Sequence, residues 1–358
     1  MNVVVKRKQK LLWIITILLI LLVGSLFFWL IDKWEKDGSL DPAKNQDIEV
    51  SSQEDILVDL EAMEDDRIYG KKQNVTIYDR DYYYRDDIKN YLFIGTDASG
   101  NQEAESDEYR GAMADFLMLV VVNHTEKTYS MLQINRDTMA EVKLIGQDGT
   151  GEATAMLQLC TSHWYGGTKK QSCKNTVQAV SKLLGGINID AYYTLDMNAI
   201  GILNHAVGGV TVTIQNDFTK IDSNMKLGST LKLTDEQSYH YVHTRYGVDD
   251  EDNVSRMQRQ REYMQAFKQE ISSYLDDDQF VISLYNQLKE YSTTSISGDD
   301  INKIVRQTEA YKDKGILTID GEEKLGQALG DGEDHVEYYL NEESLLEVMQ
   351  DLYNLQQE

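Results

Sequence analysis

Residues 116–122 read Phe-Leu-Met-Leu-Val-Val-Val, an apolar run with no polar interruption. A run this short and continuous has the signature of a β-strand buried on both faces. A half-exposed strand would alternate, and a surface helix would repeat every 3.6 residues. A strand covered twice demands layers on either side of its sheet, and the flanking sequence supplies candidates. Tyr91–Ile94 is a short strand that stops at Gly95-Thr96-Asp97, and Tyr129–Ile134 alternates before Asn135-Arg136-Asp137. Lys174–Leu184 has the pattern of an amphipathic helix ended by Gly185-Gly186. Val207-Gly208-Gly209 reads as a turn into a β-branched strand ending at Ile214. Asp235–Val242 and Val254–Tyr274 read as helices, and Val336–Leu340 as a last short strand. Strands alternating with helices predict an α/β domain.

A second apolar run sets the topology. Leu11–Ile31 is 21 residues without a charge, enough to cross a hydrocarbon core of ~30 Å as a helix. Lys6, Arg7, Lys8 and Lys10 precede it, whereas acidic and basic residues mix after it. The excess of positive charge puts the N-terminus in the cytoplasm and the rest outside. Trp29 and Trp34 stand where an interfacial aromatic belt belongs. A cleaved signal peptide would have a shorter apolar core and a small-residue cleavage site. The reading is a single-pass, type II membrane protein with four parts. Residues 1–10 are a cytoplasmic tail, 11–31 a transmembrane signal anchor, 32–87 an acidic extracellular stalk and 88–358 the extracellular α/β domain. Cys160 and Cys173, the two cysteines, then face an oxidising compartment and are expected to form a disulfide.

Sixty acidic residues against 35 basic ones leave a formal charge of −25, which argues against non-specific nucleic-acid binding. It also makes Arg136, Arg245, Arg256, Arg259 and Arg261 conspicuous as cations beside apolar sequence. The planar guanidinium fork suits phosphate oxygens, although a solvated basic helix face would read the same. Arg256 and Gln260 at i,i+4, with Arg259 at i,i+3, share one helix face. Asp97 and Asp115 border buried strands, as magnesium ligands beside a phosphate would, or as solvated turn caps would. Asp137 is placed to orient Arg136 or to activate a hydroxyl. His240 and His243 lack a third ligand in sequence and read as an ordinary surface or core pair. Asn74, Asn123 and Asn253 open N-x-S/T triplets of little weight. No nucleophile elbow, Walker loop or GxGxxG motif occurs.

Six segments, YLFIGTDASG, ADFLMLVVVN, YSMLQINRDTM, GINIDAYYTLDM, AVGGVTVTI and YVHTR…SRMQRQREYM, occur in an order and spacing that resembles the LytR-CpsA-Psr family, from about Asn90 to Leu355. The late TTSISGDDI and HVEYYLNEESLLEVMQDLY extend the likeness. The resemblance implies a mixed central sheet flanked by helices, with an apolar pocket for a prenyl chain that Phe116–Val122 would help to wall. It implies a phosphotransferase that moves an anionic glycopolymer, of teichoic acid or capsule type, from a polyprenyl (undecaprenyl) diphosphate donor onto peptidoglycan in a Gram-positive wall. Carried over residue by residue, Asp97 and Asp115 match the Mg²⁺ ligands. Arg136, Arg245 and Arg256, with Gln260 beside them, match the pyrophosphate-binding set. Asp97 and Asp137 are the candidates to take the acceptor's proton. A hydrolase acting on the same lipid, or a non-catalytic lipid-binding regulatory membrane protein, are the alternatives. Three departures stand out. His243 occupies a position where the family commonly has arginine. Ala98-Ser99-Gly100 lacks another arginine, for which Arg110 is a possible substitute. Cys160 stands where asparagine is frequent.

Overall fold

The apolar run falls inside a ten-residue strand, Ala114–Asn123, one of the two middle strands of the main sheet. The computed structural model describes residues 71–97, 111–145, 152–166, 168–248, 251–271, 273–274, 278–296 and 311–357. In chain order the elements begin with β1 (Lys72–Ile77), β2 (Arg80–Arg85), β3 (Ile88–Thr96), β4 (Ala114–Asn123), β5 (Thr128–Ile134), β6 (Met139–Ile145) and β7 (Glu152–Gln158). After a single helical turn at Thr161–Trp164 come α1 (Lys169–Leu183), β8 (Ala191–Asp196), α2 (Ala199–Ala206), β9 (Thr211–Thr213) and β10 (Thr230–Lys232). Then follow α3 (Asp235–His243), α4 (Asn253–Ile271), α5 (Asp278–Leu288), β11 (Ser292–Thr294) and β12 (Lys312–Leu317). The chain closes with β13 (Gly321–Gly326), β14 (His335–Leu340), α6 (Glu342–Tyr353) and β15 (Gln356–Gln357).

The main sheet has six strands in the order β11-β8-β3-β4-β5-β12. It is mixed: β3 pairs antiparallel with β4 and parallel with β8, while β5 pairs antiparallel with β4 and parallel with β12. Because side chains alternate along a strand, the apolar run feeds two cores. Met118, Val120 and Val122 join Tyr129 and Met131 under a layer that includes Leu203 of α2, Tyr241 of α3, Phe267 of α4 and Leu284 of α5. Leu117, Leu119 and Val121 join Leu132 and Ile134 on the opposite face, covered by Val180 of α1 and Met349 of α6. Each fully buried side chain of this size contributes about 1.5–3 kcal/mol, so both faces of the run are needed. The expected α/β class and mixed, helix-flanked sheet are therefore present.

The expected start of the domain at Ile88 is too late. Lys72–Ile77 and Arg80–Arg85 form an antiparallel hairpin, and β15 from the far end of the chain pairs with β2. Val75, Ile77, Tyr82 and Tyr84 are buried in the second core, so these residues belong to the domain and not to a stalk. The alternation is visible in Arg-Asp-Tyr-Tyr-Tyr-Arg once the tyrosines are counted as core residues. Strands β6, β7, β12 and β13 were also not expected. Segments such as Lys-Asp-Lys-Gly-Ile-Leu carry too many charges for a period-2 signal. Helix α1 starts before Lys174, where the Thr168 side chain caps it by accepting from Gln171 N. It ends as expected at Gly185 and Gly186, whose φ values of +78° and +89° only glycine adopts without strain. Among the described residues no helix is long and apolar enough to cross a membrane; the expected span, Leu11–Ile31, lies outside them.

Candidate functional site

The sheet's connectivity gathers the candidate residues at one end. Strands β3, β5 and β8 finish there and the antiparallel β4 begins there, so Asp97, Arg136, Asp196 and Asp115 sit side by side despite their separation in sequence. Asp115 owes its direction to a β-bulge. Gly95 pairs with Phe116 and Thr96 with Ala114, which leaves Asp115 as the extra residue on β4. Parity flips across it: Phe116 packs against the first core, and Ala114 lies in the second. A bulge of this kind re-aims one side chain at a strand end.

Arg136 follows β5 in the turn Asn135-Arg136-Asp137. Its Nη1 donates to Asp115 Oδ1, Nη2 donates to Cys160 Sγ at 3.0 Å, and Nε lies 3.4 Å from Asp137 Oδ1. Burial works against the Arg136 charge, but Cys160 and the two carboxylates more than restore it, so its pKa is raised. Cys160 is itself pushed up by burial and stays a thiol, so Asp115 and Asp137 supply the net negative charge. Asp137 is buried, and that burial raises its pKa despite Arg136, Arg256 and Arg245 nearby. Its Oδ2 makes no hydrogen bond among the described residues.

Arg256 reaches the same carboxylate from α4, with Nη1 3.8 Å from Asp115 Oδ1. Burial pushes its pKa down to about 10, which leaves it protonated at neutral pH. Asn253 Oδ1 accepts from both Arg256 Nε (3.1 Å) and Nη2 (2.6 Å), while Asn253 Nδ2 donates to Asn135 Oδ1 at 2.7 Å. This chain of amides ties the helix to the β5 turn. It was not expected, because Asn253 is conspicuous in sequence only as part of an N-x-S triplet. Arg245 stands at the rim, its guanidinium over the Tyr246 ring at 4.8 Å and donating to Tyr246 Oη at 2.6 Å. Its charge reaches Asp137 and Arg256.

The other two cations do different work. Arg259 is 2% exposed and donates to Tyr241 O (2.9 Å), Thr244 O (2.5 Å) and Asn216 Oδ1 (3.0 Å), so it caps the C-terminal end of α3. Arg261 donates to Gln133 Oε1 at 2.5 Å. Gln260 donates to Val242 O and accepts from Gln133 Nε2, both at 3.1 Å, which anchors α4 to α3 and to the sheet.

His243, at the end of α3, joins the cluster. Its Nε2 lies 3.8 Å from Asp97 Oδ1, and its ring stacks on Tyr239 with centroids 4.8 Å apart. Burial lowers its pKa against the pull of Asp115 and Asp97, favouring the neutral ring. Asp97, Asp115 and His243 each place a ligand atom within 4.8 Å of the other two. Two carboxylates and a ring nitrogen at these separations fit a divalent cation. His240, by contrast, faces Glu236 and Thr244. The carboxylates beside His243 precede it by more than a hundred residues, so spacing along α3 could not reveal them.

The expected disulfide is absent. Cys160 and Cys173 are buried free thiols with different neighbours. Cys160 receives Arg136, whereas Cys173 packs under β8 with its sulfur 3.1 Å from Thr194 Oγ1 and 3.8 Å from His163 Nε2. The compartment argument carries no information about which way two sulfurs point. Arg110 and Ala98-Ser99-Gly100 lie outside the described residues.

Next to the cluster an apolar cavity of about 200 Å³ opens between β3, β4, β8 and helices α2 and α4. Phe116, Met118 and Val120 wall it as expected, together with Phe93, Leu195 and Phe267. Gly95, Val242 and Gln260 also line it, and these are close chain neighbours of Asp97, His243 and Arg256. A smaller polar hollow, with Lys169, Asp196, Tyr291 and Thr293 in its wall, shares Asp97 with the cluster.

The LytR_cpsA_psr family model matches residues 56–354. The chain belongs to the LytR-CpsA-Psr family. The match begins upstream of Ile88, in agreement with the hairpin's place in the fold. Among curated relatives, Biofilm regulatory protein A of Streptococcus mutans is 27% identical over 240 residues, covering 64% of this chain and 56% of that one. The polyisoprenyl-teichoic acid–peptidoglycan teichoic acid transferase TagT of Bacillus subtilis is 28% identical over 208 residues, covering 55% and 58%. The chain thus spans less than three fifths of the length of these two relatives. The crystal structure of protein gbs0355 from Streptococcus agalactiae shares the fold with a TM-score of 0.59 at 24% identity, over 76% of this chain and 89% of that one.

Proposed function

We propose that this LytR-CpsA-Psr protein is a phosphotransferase that attaches a polyprenyl-diphosphate-linked anionic glycopolymer, of teichoic acid or capsule type, to peptidoglycan. One observation carries the reading. An apolar cavity opens beside a cluster of buried arginines and carboxylates, which is the shape required by a lipid tail ending in a diphosphate. The name of TagT as a teichoic acid transferase supports the same chemistry.

In this reading Phe116, Met118 and Val120 bind the prenyl chain, and Arg136, Arg256 and Arg245 bind the diphosphate. Asp97 and Asp115 would hold a divalent cation, Mg²⁺ on the resemblance, which supplies further charge neutralisation when bound. A peptidoglycan hydroxyl enters by the polar hollow and attacks the polymer-proximal phosphorus. The bond from that phosphorus to the bridging oxygen breaks, and the polyprenyl phosphate leaves. Asp97, whose side chain is 34% exposed, is the carboxylate an incoming hydroxyl can reach, and it takes that hydroxyl's proton. Asp137 is 8% exposed and backs Arg136, so its part is to orient the guanidinium. Positioning and charge stabilisation supply the rate, as for phosphoryl transfer generally. Leu11–Ile31 would anchor the chain in the membrane that carries the donor, with the domain outside.

The test is the full-length protein with lipid-linked donor, peptidoglycan and a divalent cation. Polymer joined to the wall material supports the transferase. Released phosphorylated sugar would make it a hydrolase, and bound lipid with neither product would make it a binding protein. Arg245→Ala and Asp115→Ala are each expected to abolish transfer while leaving the fold intact, and full activity in either would remove these residues from the site.

A further inference from the structure

We propose that Asp97, Asp115 and His243 together form a mixed nitrogen–oxygen metal site that takes a first-row transition-metal dication in preference to magnesium. The inference rests on the reading above, in which Asp97 and Asp115 hold a cation at the phosphotransfer centre.

The geometry comes first. His243 Nε2 and Asp97 Oδ1 are 3.8 Å apart, too far for a hydrogen bond, and Asp115 completes a triangle whose sides stay within 4.8 Å. Two ligands each ~2.1 Å from a shared ion lie roughly 3–4 Å from one another, so the 3.8 Å between His243 and Asp97 is a co-ligand spacing, and Asp115, within 4.8 Å of both, stands close enough to be drawn onto the same ion. Arg136 occupies one oxygen of Asp115, and a carboxylate has two. The ring of His243 is held against Tyr239 at the end of α3, with centroids 4.8 Å apart.

Charge points the same way. Arg136, Arg245 and Arg256 lie against Asp115 and Asp137, and Asp97 and Asp196 adjoin the same cluster, so the positive groups do not outnumber the carboxylates. A diphosphate therefore meets no net positive charge from these side chains. An arginine at position 243 would have added one, whereas a neutral imidazole adds a lone pair. The cluster exchanges a fixed cation for a third ligand, and a firmly bound dication restores the charge. Magnesium favours oxygen ligands and parts with its water reluctantly, whereas imidazole suits Fe²⁺, Ni²⁺ and Zn²⁺ best, and Mn²⁺, the most oxygen-seeking of the first-row transition dications, is the most demanding probe for nitrogen ligation.

The experiment uses full-length protein in detergent, stripped with chelator, and Mn²⁺ as the probe. Affinity is read from the free Mn²⁺ electron paramagnetic resonance signal with Mg²⁺ as competitor, and nitrogen ligation from ¹⁴N modulation of the bound ion's spin echo. Wild type is expected to show the ¹⁴N signal. His243→Gln should lose it and bind Mn²⁺ roughly 10–100-fold more weakly, with Mg²⁺ affinity changed by less than about threefold. Thermal melts confirm that each variant is folded. Mn²⁺ bound without a ¹⁴N signal, and equally well by His243→Gln, overturns the inference. If Asp115→Asn then abolishes that binding, the two-carboxylate reading stands. If wild type binds no dication, or Asp115→Asn binds it unchanged, the cation reading itself falls and this inference with it.

Discussion

Asn253 holds Arg256 through a single oxygen, Oδ1, which accepts from both Nε and Nη2 of the guanidinium while the other end of the amide reaches Asn135. A buried arginine that approaches Asp115 from a helix has its direction set by this neutral neighbour. Asn253→Ala leaves the Arg256 charge buried with those two bonds unmade, a loss of about 1.5–3 kcal/mol at a charged group. The expected outcome is a fall in transfer rate of roughly 10–100-fold with the donor still bound. Unchanged kcat in a folded Asn253→Ala protein would show that Arg256 needs no such support.

Arg259 and Arg261 share helix α4 with Arg256 but separate cleanly by stability. Arg259→Met leaves the carbonyls of Tyr241 and Thr244 and the Asn216 oxygen without their buried donor. It should cost about 2–4 kcal/mol, seen as an earlier urea midpoint. Arg261→Met removes one bond to Gln133 from a half-buried side chain and should cost about 1 kcal/mol or less. Equal effects would mean that the capping of α3 is unimportant.

Val120 is 2% exposed and lines the apolar cavity. Val120→Phe puts a ring into that space, displacing ligand methylenes worth ~0.8 kcal/mol each. The KM for a long-chain donor should rise about tenfold for every two methylenes displaced, with little change for a short-chain donor. The comparison is steady-state kinetics with the two donors, and parallel changes would place the prenyl chain elsewhere.

His163 titrates with a definite sign. Its Nδ1 donates to Ala112 O at 2.7 Å, and burial pushes its pKa down to about 4. The native state therefore takes up this proton later than the unfolded chain does. Its contribution to stability is whole above pH ~6.5 and declines as pH falls towards 4, by about 1.4 kcal/mol per unit. Asp137, raised by burial, acts with the opposite sign. Urea melts of wild type and His163→Asn between pH 7 and 5 isolate the histidine: the acid-side slope should be shallower in the variant, and identical slopes would contradict its buried neutral state.

Both cysteines are at most 2% exposed and unpaired. Thiol titration without reductant should find almost none reactive in the native protein and both after unfolding. Mobility on gels should not depend on reductant. A protein that yields no thiol when unfolded would restore the disulfide.

Much of the fold was legible because its strongest signals are local. Phe116–Val122 announced a doubly buried strand, and Gly185-Gly186 announced a helix end. The β1–β2 hairpin was hidden by its acidic surroundings, and β12 and β13 by charges on their exposed sides. In the site, Asp97, Asp115, Arg136, Arg245 and Arg256 were named in advance and stand together. Arg259 and Gln260, on the same helix, turned out to be committed to α3 and the sheet. One helical turn separates a residue that faces the carboxylates from one that caps a neighbouring helix, and the spacing i,i+3 does not say which is which.

The sequence alone determined the α/β class, the two-faced central strand and the membership of a family, because each depends on residue order within a segment or on the order of segments. Tertiary structure alone decided that Asp115 turns into the site through a bulge, that His243 meets two carboxylates, and that Cys160 and Cys173 stay apart. Those outcomes depend on strand register and on which distant surfaces pack together. A one-residue shift in pairing reverses where a side chain points, and no single segment encodes it.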